Sequence, residues 1–281
     1  MLPAPPAQII RIPTYDRARQ MVPLITLTTD FGAAGPYVAM MKAVIHRHAP
    51  GVQIVDLTHE VAPCNPGEAG FWIAHSYRHF PADSLHLAVV DPGVGTSRAI
   101  IAAAHDDQLF LAPDNGLLPL VLPETVPLYA LAADWPGRRD WPAPSQSFHG
   151  RDIFAPLAAA LACGRARPAD IGPRLYDPVP AALPAARRNA DGISGQVVTV
   201  DHWGNLITNI DAALLEDIAA PRVSIGHRDL PLRRTYGEAP PGALLALVNS
   251  LGVVEIAWRE GNAAAMLGLG RGAPVQVSAG G

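Results

Sequence analysis

Lysine and cysteine are scarce in this 281-residue chain, and each shortage excludes a class of protein. Lys42 is the only lysine and no run of basic residues occurs, so the chain lacks the electrostatic footprint of a nucleic-acid-binding protein. The two cysteines, Cys64 and Cys163, form no CxxC motif; two cysteines are too few for a multi-disulfide framework, and a single disulfide is possible but has no support in the sequence. We expect both to be reduced, buried thiols.

Long apolar runs are also missing. No run reaches the roughly 18 residues that a membrane span needs, and residues 1–22 lack the charged and apolar regions of a signal peptide. Charged residues make up 16% of the chain and hydrophobic residues 49%, a balance typical of a globular protein. We therefore predict a cytoplasmic protein with neither a membrane nor a nucleic acid as its partner.

Strand and helix patterns alternate through the first half of the chain. Runs rich in β-branched residues predict strands at 24–29, 52–57 and 84–90. Helical patterns occur at 37–49, 66–80 and 152–164. This alternation is typical of an α/β domain with a central, mostly parallel sheet.

The pattern changes after a proline-rich stretch. From residue 192 onward, short strands are separated by turn residues, as in an all-β fold. The sequence thus predicts four segments: a flexible tail at 1–22, the α/β domain at 23–178, a linker at 179–191, and a smaller, β-barrel-like domain at 192–281.

Three loops of the first domain place an acidic residue beside Gly or Pro after a strand. They are TTDFG with Asp30, VVDPG with Asp91 and APDNG with Asp114. Ligands of open α/β sheets bind beyond the carboxyl ends of the strands, and a carboxylate there can hold a pair of sugar hydroxyls. A plain turn is the alternative for any one loop, but several such loops in one sheet favour a binding site.

The segment FHGRDIF combines charge with aromatic residues. A helix N-terminus would explain Asp152, but not His149 and Arg151 between Phe148 and Phe154. A ligand pocket has apolar walls and a few directed polar groups. We therefore interpret this segment as the edge of a pocket.

The segment VDHWGNLITNI interrupts two apolar strands of the second domain with polar residues. The amide of Asn205 could read an adenine edge, since it both donates and accepts, and Trp203 could stack on a ring. An ordinary β-turn is an equally good interpretation of this segment alone.

Six motifs in order resemble one known family. LTTDFG, IVDLTH, VVDPGVGT, PDNGLL, FHGRDIF and DHWGNLITNI are similar to motifs of the S-adenosylmethionine (SAM)-dependent halogenases and hydrolases. The likeness runs from about residue 24 to residue 277. It implies an α/β domain, a β-barrel-like domain and a homotrimer, with each active site between the first domain of one subunit and the second domain of its neighbour.

The resemblance assigns roles in the first domain. Asp30 matches the family carboxylate that binds both ribose hydroxyls, and Phe148 is placed at the substrate pocket. Asp91, Arg98 and His149 match the three residues that act together in the hydrolase members. The resemblance therefore implies that these three are the catalytic group.

The resemblance also assigns roles in the second domain. Asp201 matches the acid that meets the methionine amino group, and Trp203 and Asn205 match the aromatic and the amide at the adenosyl side. Ser250 matches a loop that holds the methionine carboxylate, although Leu251 stands where the halogenases have an arginine. The segment with the adenine-reading backbone corresponds to GNAA and includes Asn262 and Ala263.

The choice between branches depends on the nucleophile. The fluorinase has a tyrosine where Asp91 stands and a halide-contacting serine where Gly150 stands. A carboxylate near the point of attack would repel a halide by several kcal/mol in a poorly solvated pocket, but it could orient water or accept its proton. Arg98 and His149 could stabilise developing hydroxide. We therefore predict hydrolysis of SAM to adenosine and L-methionine by in-line attack of water on C5′.

Two other functions stay open from the sequence: a chlorinase-like halogenase and a non-catalytic protein that binds adenosyl compounds. We expect no cofactor beyond SAM as substrate, and no metal. His75 and His79 are spaced for zinc on a helix, but the segment HSYRH lacks the glutamate of HExxH. Surface or capping histidines are the preferred interpretation.

Overall fold

The computed structural model describes residues 23–139 and 141–280, which form two domains, each with its own sheet. The elements of the first domain are β1 (Leu24–Thr29), α1 (Tyr37–His48), β2 (Gln53–Thr58), α2 (Pro66–Ala74), β3 (Leu85–Val89), β4 (Ile100–His105), β5 (Gln108–Pro113), β6 (Leu128–Ala130), α3 (Ala155–Ala162) and β7 (Arg174–Leu175). Those of the second are β8 (Arg187–Asn189), β9 (Gly192–Val200), β10 (Leu206–Asp211), β11 (Arg222–Ile225), β12 (Arg228–Arg233), β13 (Leu244–Val248), β14 (Val253–Trp258), α4 (Ala263–Leu267) and β15 (Pro274–Ser278).

The sheet of the first domain has the strand order β2-β1-β3-β5-β4-β6-β7. Parallel pairs join β2, β1, β3 and β5, while β4 is antiparallel to both β5 and β6, and β7 is antiparallel to β6. Five strands therefore run in one direction, and the predicted, mostly parallel sheet is confirmed.

Helices cover both faces of this sheet, because its central strands are apolar on both sides. On one face, α1 and α3 contribute Met41 and Leu157 to a cluster that includes Leu27 of β1 and Leu87 of β3. On the other face, Ile73 of α2 packs in a second cluster with residues of β4 and β5. The result is three layers, and the carboxyl ends of β1 and β3 lie side by side at one edge of the sheet.

The second domain is a closed barrel. Its strands follow the order β10-β14-β13-β12-β11-β15-β9, and β9 pairs with β10 to complete the ring. Among the described strands, β8 pairs only with β9 and lies outside the ring. Alternate residues of the strands, such as Val223, Val254 and Val277, fill the interior. The predicted barrel-like domain is therefore confirmed as a seven-stranded barrel.

A buried carboxylate joins the two domains. Glu68 of α2, 2% exposed, accepts hydrogen bonds from Thr199 Oγ1 at 2.6 Å and from Arg271 Nε at 3.0 Å. Phe71 of the same helix packs against Val198 and Ile207 of the barrel. Because a buried carboxylate needs these donors, the contact fixes how α2 meets the barrel.

Several local predictions differ from the structure. The helix predicted at 66–80 ends at Ala74, and a separate short turn spans Tyr77–His79. The predicted linker includes β8. The expectation of buried cysteines is wrong, since Cys64 and Cys163 are both free and exposed. Cys163 lies at the C-terminus of α3, and Cys64 lies in the turn before α2. The tail at 1–22 lies outside the described residues. In the described part, no helix combines the length and the apolar character of a membrane span.

Candidate active site

A cavity of about 370 Å³ opens at the carboxyl ends of β1 and β3. Asp30 directly follows β1, and Asp91 follows β3 by two residues. These two strands are paired neighbours, so their terminal loops meet. The lining residues are Asp30, Phe31, Tyr37, Cys64, Val89, Asp91, Val94, Ser147, Phe148, His149 and Gly150. Four of the sequence-predicted residues, Asp30, Asp91, Phe148 and His149, thus share one cavity.

The carboxylate of Asp30 is held by one backbone donor. The N–H of Cys64 donates to Oδ2 at 2.8 Å, and Cys64 itself has a positive φ of 59°. The DFG loop is held further by a hydrogen bond from Gly32 N to His59 O at 2.8 Å. Among the described groups, none donates to Oδ1, so this oxygen is available to a ligand hydroxyl.

Three aromatic rings form the apolar wall of the cavity. Phe31, Tyr37 and Phe148 lie with ring centroids 5.4 to 6.0 Å apart in tilted and edge-on arrangements. Such pairs stabilise one another beyond their buried area. The wall combines residues from the loop after β1, from α1 and from the FHGRDIF segment, and it gives the cavity an apolar side suited to a nucleoside.

Asp91, Arg98 and His149 are in direct contact. Arg98 Nε donates to both oxygens of Asp91, at 2.9 and 3.1 Å, and its terminal nitrogen Nη2 contacts Oδ2 as well. The Asp91 and Arg98 side chains are only 6% and 11% exposed. The guanidinium also lies 5.4 Å from the centre of the Phe154 ring. The pair is therefore rigid and shielded, with its charges mutually compensated.

The contact with Arg98 fixes the protonation of His149. Nη2 of Arg98 lies 3.1 Å from Nδ1 of His149, and arginine can only donate. Nδ1 must therefore accept, which places the proton of the neutral ring on Nε2. Burial, and then the positive charge of Arg98, lower the pKa of His149. At neutral pH this ring is a neutral donor through Nε2–H.

The rest of FHGRDIF braces these residues. The segment Gly150–Phe154 is a π-helical turn before α3. In it, Asp152 pairs with Arg151 and accepts from Ser145 Oγ at 2.7 Å. The hydrogen bond from Arg151 is the main reason that the pKa of Asp152 falls to about 2. Ser145 Oγ in turn accepts from Phe148 N at 3.1 Å, so this pair holds the loop that presents Phe148 and His149.

The third acidic loop does not reach the cavity. Asp114 Oδ1 accepts from Val179 N at 3.0 Å, and Asn115 Nδ2 donates to Val90 O at 2.8 Å. Partial burial raises the pKa of Asp114. The structure therefore fits the interpretation of this loop as a turn. The loop connects the chain that follows the first domain to the sheet.

The second domain has its own cleft, of about 430 Å³. It is lined by Asp201, Trp203 and Ser250 from the sequence-predicted set, together with Trp72, Ile207, Arg234, Thr235, Tyr236, Leu247, Val248, Asn249, Leu251 and Glu255. None of the described residues lines both this cleft and the cavity of the first domain. Within one chain, the predicted site residues therefore form two separate groups.

The carboxylate of Asp201 organises its own loop. Oδ1 accepts from the backbone N–H groups of Trp203 and Asn205, at 3.0 and 2.8 Å, and Oδ2 accepts from the Asn205 amide at 2.9 Å. Asn205 is 8% exposed, whereas Trp203 is 71% exposed. The amide that was predicted to read adenine thus orients Asp201 in this structure, and the indole is open to a ligand or another subunit.

Asn262 and Ala263 lie next to this loop but not in the cleft. Asn262 caps α4 by accepting from Ala265 N at 2.7 Å, and Ala263 is buried. Ala264 N donates to Gly204 O at 2.9 Å. Gly204 has a φ of 85°, and a Cβ there would lie 2.1 Å from Asn262 Cγ, so only glycine lets the two segments meet.

Sequence analysis missed a buried acid in this cleft. Glu255 is 3% exposed, and its oxygens accept from Tyr236 Oη at 2.6 Å and from Asn249 Nδ2 at 3.1 Å. Burial raises the pKa of Glu255, and the nearby Asp201 adds to the effect. The available signal was a single carboxylate inside the apolar run VVEIAW, since such a residue is buried only with partners.

The two histidines spaced for zinc do not share a helix. His75 ends α2, where its ring lies 4.4 Å from that of Phe71 and its Nδ1 lies 3.1 Å from Leu251 O. His79 belongs to the following turn. Among the described residues, no three His, Cys, Asp or Glu side chains are grouped to hold a metal ion.

Comparisons with known proteins agree on one family. Models of the SAM hydroxide adenosyltransferase N-terminal and C-terminal domains match residues 25–172 and 195–276. An (R)-S-adenosyl-L-methionine hydrolase of Salinispora arenicola is 40% identical, over 92% of this chain and 98% of the relative. One of Thermus thermophilus is 39% identical, over 89% and 97%. A crystal structure of a conserved protein from Thermotoga maritima superposes with a TM-score of 0.81 at 35% identity, covering 90% of this chain and 99% of that one. The chain therefore belongs to the SAM hydroxide adenosyltransferase family, as its motifs predicted.

Proposed function

We propose that this protein hydrolyses SAM to adenosine and L-methionine. The observation that carries the proposal is that Asp91 and His149 line the cavity that also holds Asp30, and that Arg98 contacts both of them. The names of the relatives that are about 40% identical support the same reaction. In it, a water oxygen forms a bond to C5′ while the C5′–S bond breaks, its electron pair goes to sulfur, and one water proton is released.

The leaving group needs no help from an acid, because the sulfonium departs as a neutral thioether. The difficulty lies with the nucleophile, since water has a pKa of about 15.7. Arg98 and the Nε2–H of His149 supply positive charge and a donor, which stabilise hydroxide as it forms. They are held before the reaction by their own contacts, so little reorganisation is needed.

Asp91 acts chiefly by orientation. Both of its oxygens accept from Arg98, so part of their hydrogen-bonding capacity is occupied before water binds. The carboxylate keeps the guanidinium in place against His149 and can direct the remaining lone pairs toward water. The proton that the attacking water loses is accepted by Asp91 or by solvent.

Halide is a poor substitute for water at this site. The carboxylate of Asp91 disfavours a second anion nearby. Gly150 offers no hydroxyl to a halide, and a Cβ at this position would already lie 3.2 Å from both Met41 Sδ and Phe148 Cε2. The charge of Asp91 therefore disfavours either halide, whereas Gly150 by itself disfavours only the serine of the fluorinase, which would require Met41 or Phe148 to shift.

The substrate is proposed to bridge two subunits. Asp30 and the aromatic wall would hold the adenosyl group together with Trp203 of a neighbouring chain, and Asp201 and Ser250 of that neighbour would hold the methionyl end. The support is that these residues line separate cavities within one chain. We propose a homotrimer as the assembly.

We propose the cytoplasm as its location, because the cytoplasm is the source of SAM and is compatible with two free thiols. No cofactor or metal takes part in the proposed reaction.

Incubation with SAM, with and without chloride or fluoride, followed by chromatography tests the activity. We expect adenosine and methionine in equal amounts at a rate that halide does not change. A 5′-halo-5′-deoxyadenosine product would instead support a halogenase, and unchanged SAM bound to the protein would support a non-catalytic binding protein.

A further inference from the structure

A basic residue that was not predicted from the sequence offsets the acids of the barrel cleft. Two acids, Asp201 and Glu255, line the cleft. Among the described residues that line it, Arg234 is the only basic one. A ligand with an α-amino acid end carries both an ammonium and a carboxylate, so a cleft that offered only acids would attract the first and repel the second.

The position that bears an arginine in the halogenases cannot supply the missing charge. Leu251 packs at the contact between the domains, against the cluster of Phe71, Val198 and Ile207. Its carbonyl oxygen lies 3.1 Å from Nδ1 of His75. This side chain therefore seals the junction with α2, and the positive charge has to come from another loop.

The loop of Arg234 is held over the same cleft from two sides. The backbone N–H of Arg234 donates to Glu238 Oε2 at 3.0 Å. Two residues on, Tyr236 Oη donates to the buried Glu255 at 2.6 Å. The guanidinium itself forms no ion pair with any acid among the described residues, and Arg234 is exposed. Its backbone is thus fixed while its charged group is available.

We propose that Arg234 binds the α-carboxylate of the substrate's methionyl end and replaces the arginine that the NSLG loop lacks. The proposal rests on the proposed function and adds the residue that recognises the carboxylate. A guanidinium presents two parallel donors, which match the two oxygens of a carboxylate. Asp201 on the opposite loop suits the ammonium, and Ser250 adds a neutral hydroxyl donor.

Two substrates and three variants test this role. SAM is compared with decarboxylated SAM, which keeps the sulfonium and the amine but lacks the carboxylate. Each is assayed with the wild type, Arg234→Leu, Arg234→Lys and Arg233→Leu. Arg233 is the exposed last residue of β12 and does not line the cleft, so it is the matched control for loss of a neighbouring charge. Calorimetry gives Kd, and adenosine release gives KM and kcat.

Arg234→Leu is expected to raise Kd and KM for SAM about 10- to 100-fold, the loss typical of one charge-assisted contact, with kcat nearly unchanged. For decarboxylated SAM, the same variant should bind as the wild type does. Arg234→Lys should recover part of the loss, and Arg233→Leu should match the wild type.

Equal effects of Arg234→Leu on both substrates, or no effect on either, would overturn the assignment. Failure of the proposed function would look different. In that case the wild type would release no adenosine from SAM, while calorimetry with the two ligands would still decide whether Arg234 reads the carboxylate.

Discussion

At the scale of single residues, the imidazole of His149 is the group with the most constrained role. Arg98 fixes its tautomer, so Nε2–H is the donor left for the attacking oxygen. Replacing His149 with Ala should lower kcat about 10²- to 10³-fold, as expected for one lost transition-state donor, while Kd for SAM stays within about threefold of the wild type. Calorimetry and adenosine release measure the two effects.

The exposed His227, in the turn between β11 and β12, is the control for that substitution. His227→Ala should leave both constants unchanged. A parallel loss of binding and turnover in His149→Ala would mean that the imidazole holds the substrate or the loop and does not act on the reaction itself.

The same contact predicts the pH dependence of the reaction. Burial and Arg98 lower the pKa of His149 below its ordinary value of 6.5. Because the neutral form is the one that accepts from Arg98, kcat/KM should stay constant as the pH falls through 6.5 and drop only at lower pH, when the ring gains a proton. A pH profile of the wild type beside His149→Gln measures this, and the variant should lack that acidic decline.

A decline centred above pH 6.5 would contradict this account. It would mean that Asp91 raises the pKa of His149 by more than burial and Arg98 together lower it.

At the scale of elements, the contact between the DHWGN loop and α4 depends on one glycine. Gly204→Ala would place a Cβ 2.1 Å from Asn262 Cγ at a φ of 85°. Strain and overlap together should lower the free energy of unfolding by about 2–4 kcal/mol. Gly242 has a similar φ of 74° but nothing within 4 Å of a Cβ, so Gly242→Ala should cost only the strain, about 1 kcal/mol.

Urea denaturation of the two variants and the wild type compares these costs. Equal losses would show that Gly204 is required for its φ alone, and that the contact between the DHWGN loop and α4 contributes little.

The elements also show what sequence alone can provide. Strong apolar patterns predicted β1, α1 and β3 to within a residue, because burial dictates the pattern of each. β12 has no such pattern, since RDLPLR contains three charges and a proline, and it is a strand because it pairs with β11 and β13 in the barrel. The helix at 66–80 was predicted too long because the ring of His75 turns to the barrel, a tertiary contact that no local pattern contains.

The site residues likewise divide into those that the sequence predicts and those that it does not. Acidic residues after strands predicted Asp30 and Asp91, since parallel strands bring their carboxyl ends together. Glu255 and Arg234 were not predicted, because their place in the cleft depends on the closure of the barrel and on a hydrogen bond across strands. The resemblance supplied Arg98 and His149 as partners, and their contact distance required the structure.

At the scale of the whole molecule, the separate cavities predict complementation between subunits. His149→Ala alters the first domain and Asp201→Asn the second, so each variant alone should be nearly inactive. In trimers assembled from equal amounts of both, about one quarter of the interfaces would pair two intact halves. Samples in which the two variants are mixed, unfolded and refolded together should therefore recover up to about one quarter of wild-type activity.

A mixture of His149→Ala with Arg98→Met is the control, because the two residues are in contact in the first domain and no interface can be intact. Absence of recovery in the first mixture, with subunit exchange verified by native mass spectrometry, would show that each site is complete within one chain.

The central claim is that a water oxygen, held by Arg98 and His149, replaces sulfur at C5′ of SAM. Hydrolysis in water enriched in ¹⁸O, followed by mass spectrometry of both products, measures this directly. The account predicts one ¹⁸O atom in the 5′-hydroxyl of adenosine and unlabelled methionine. Labelled homoserine with 5′-methylthioadenosine, or adenosine without label, would contradict it.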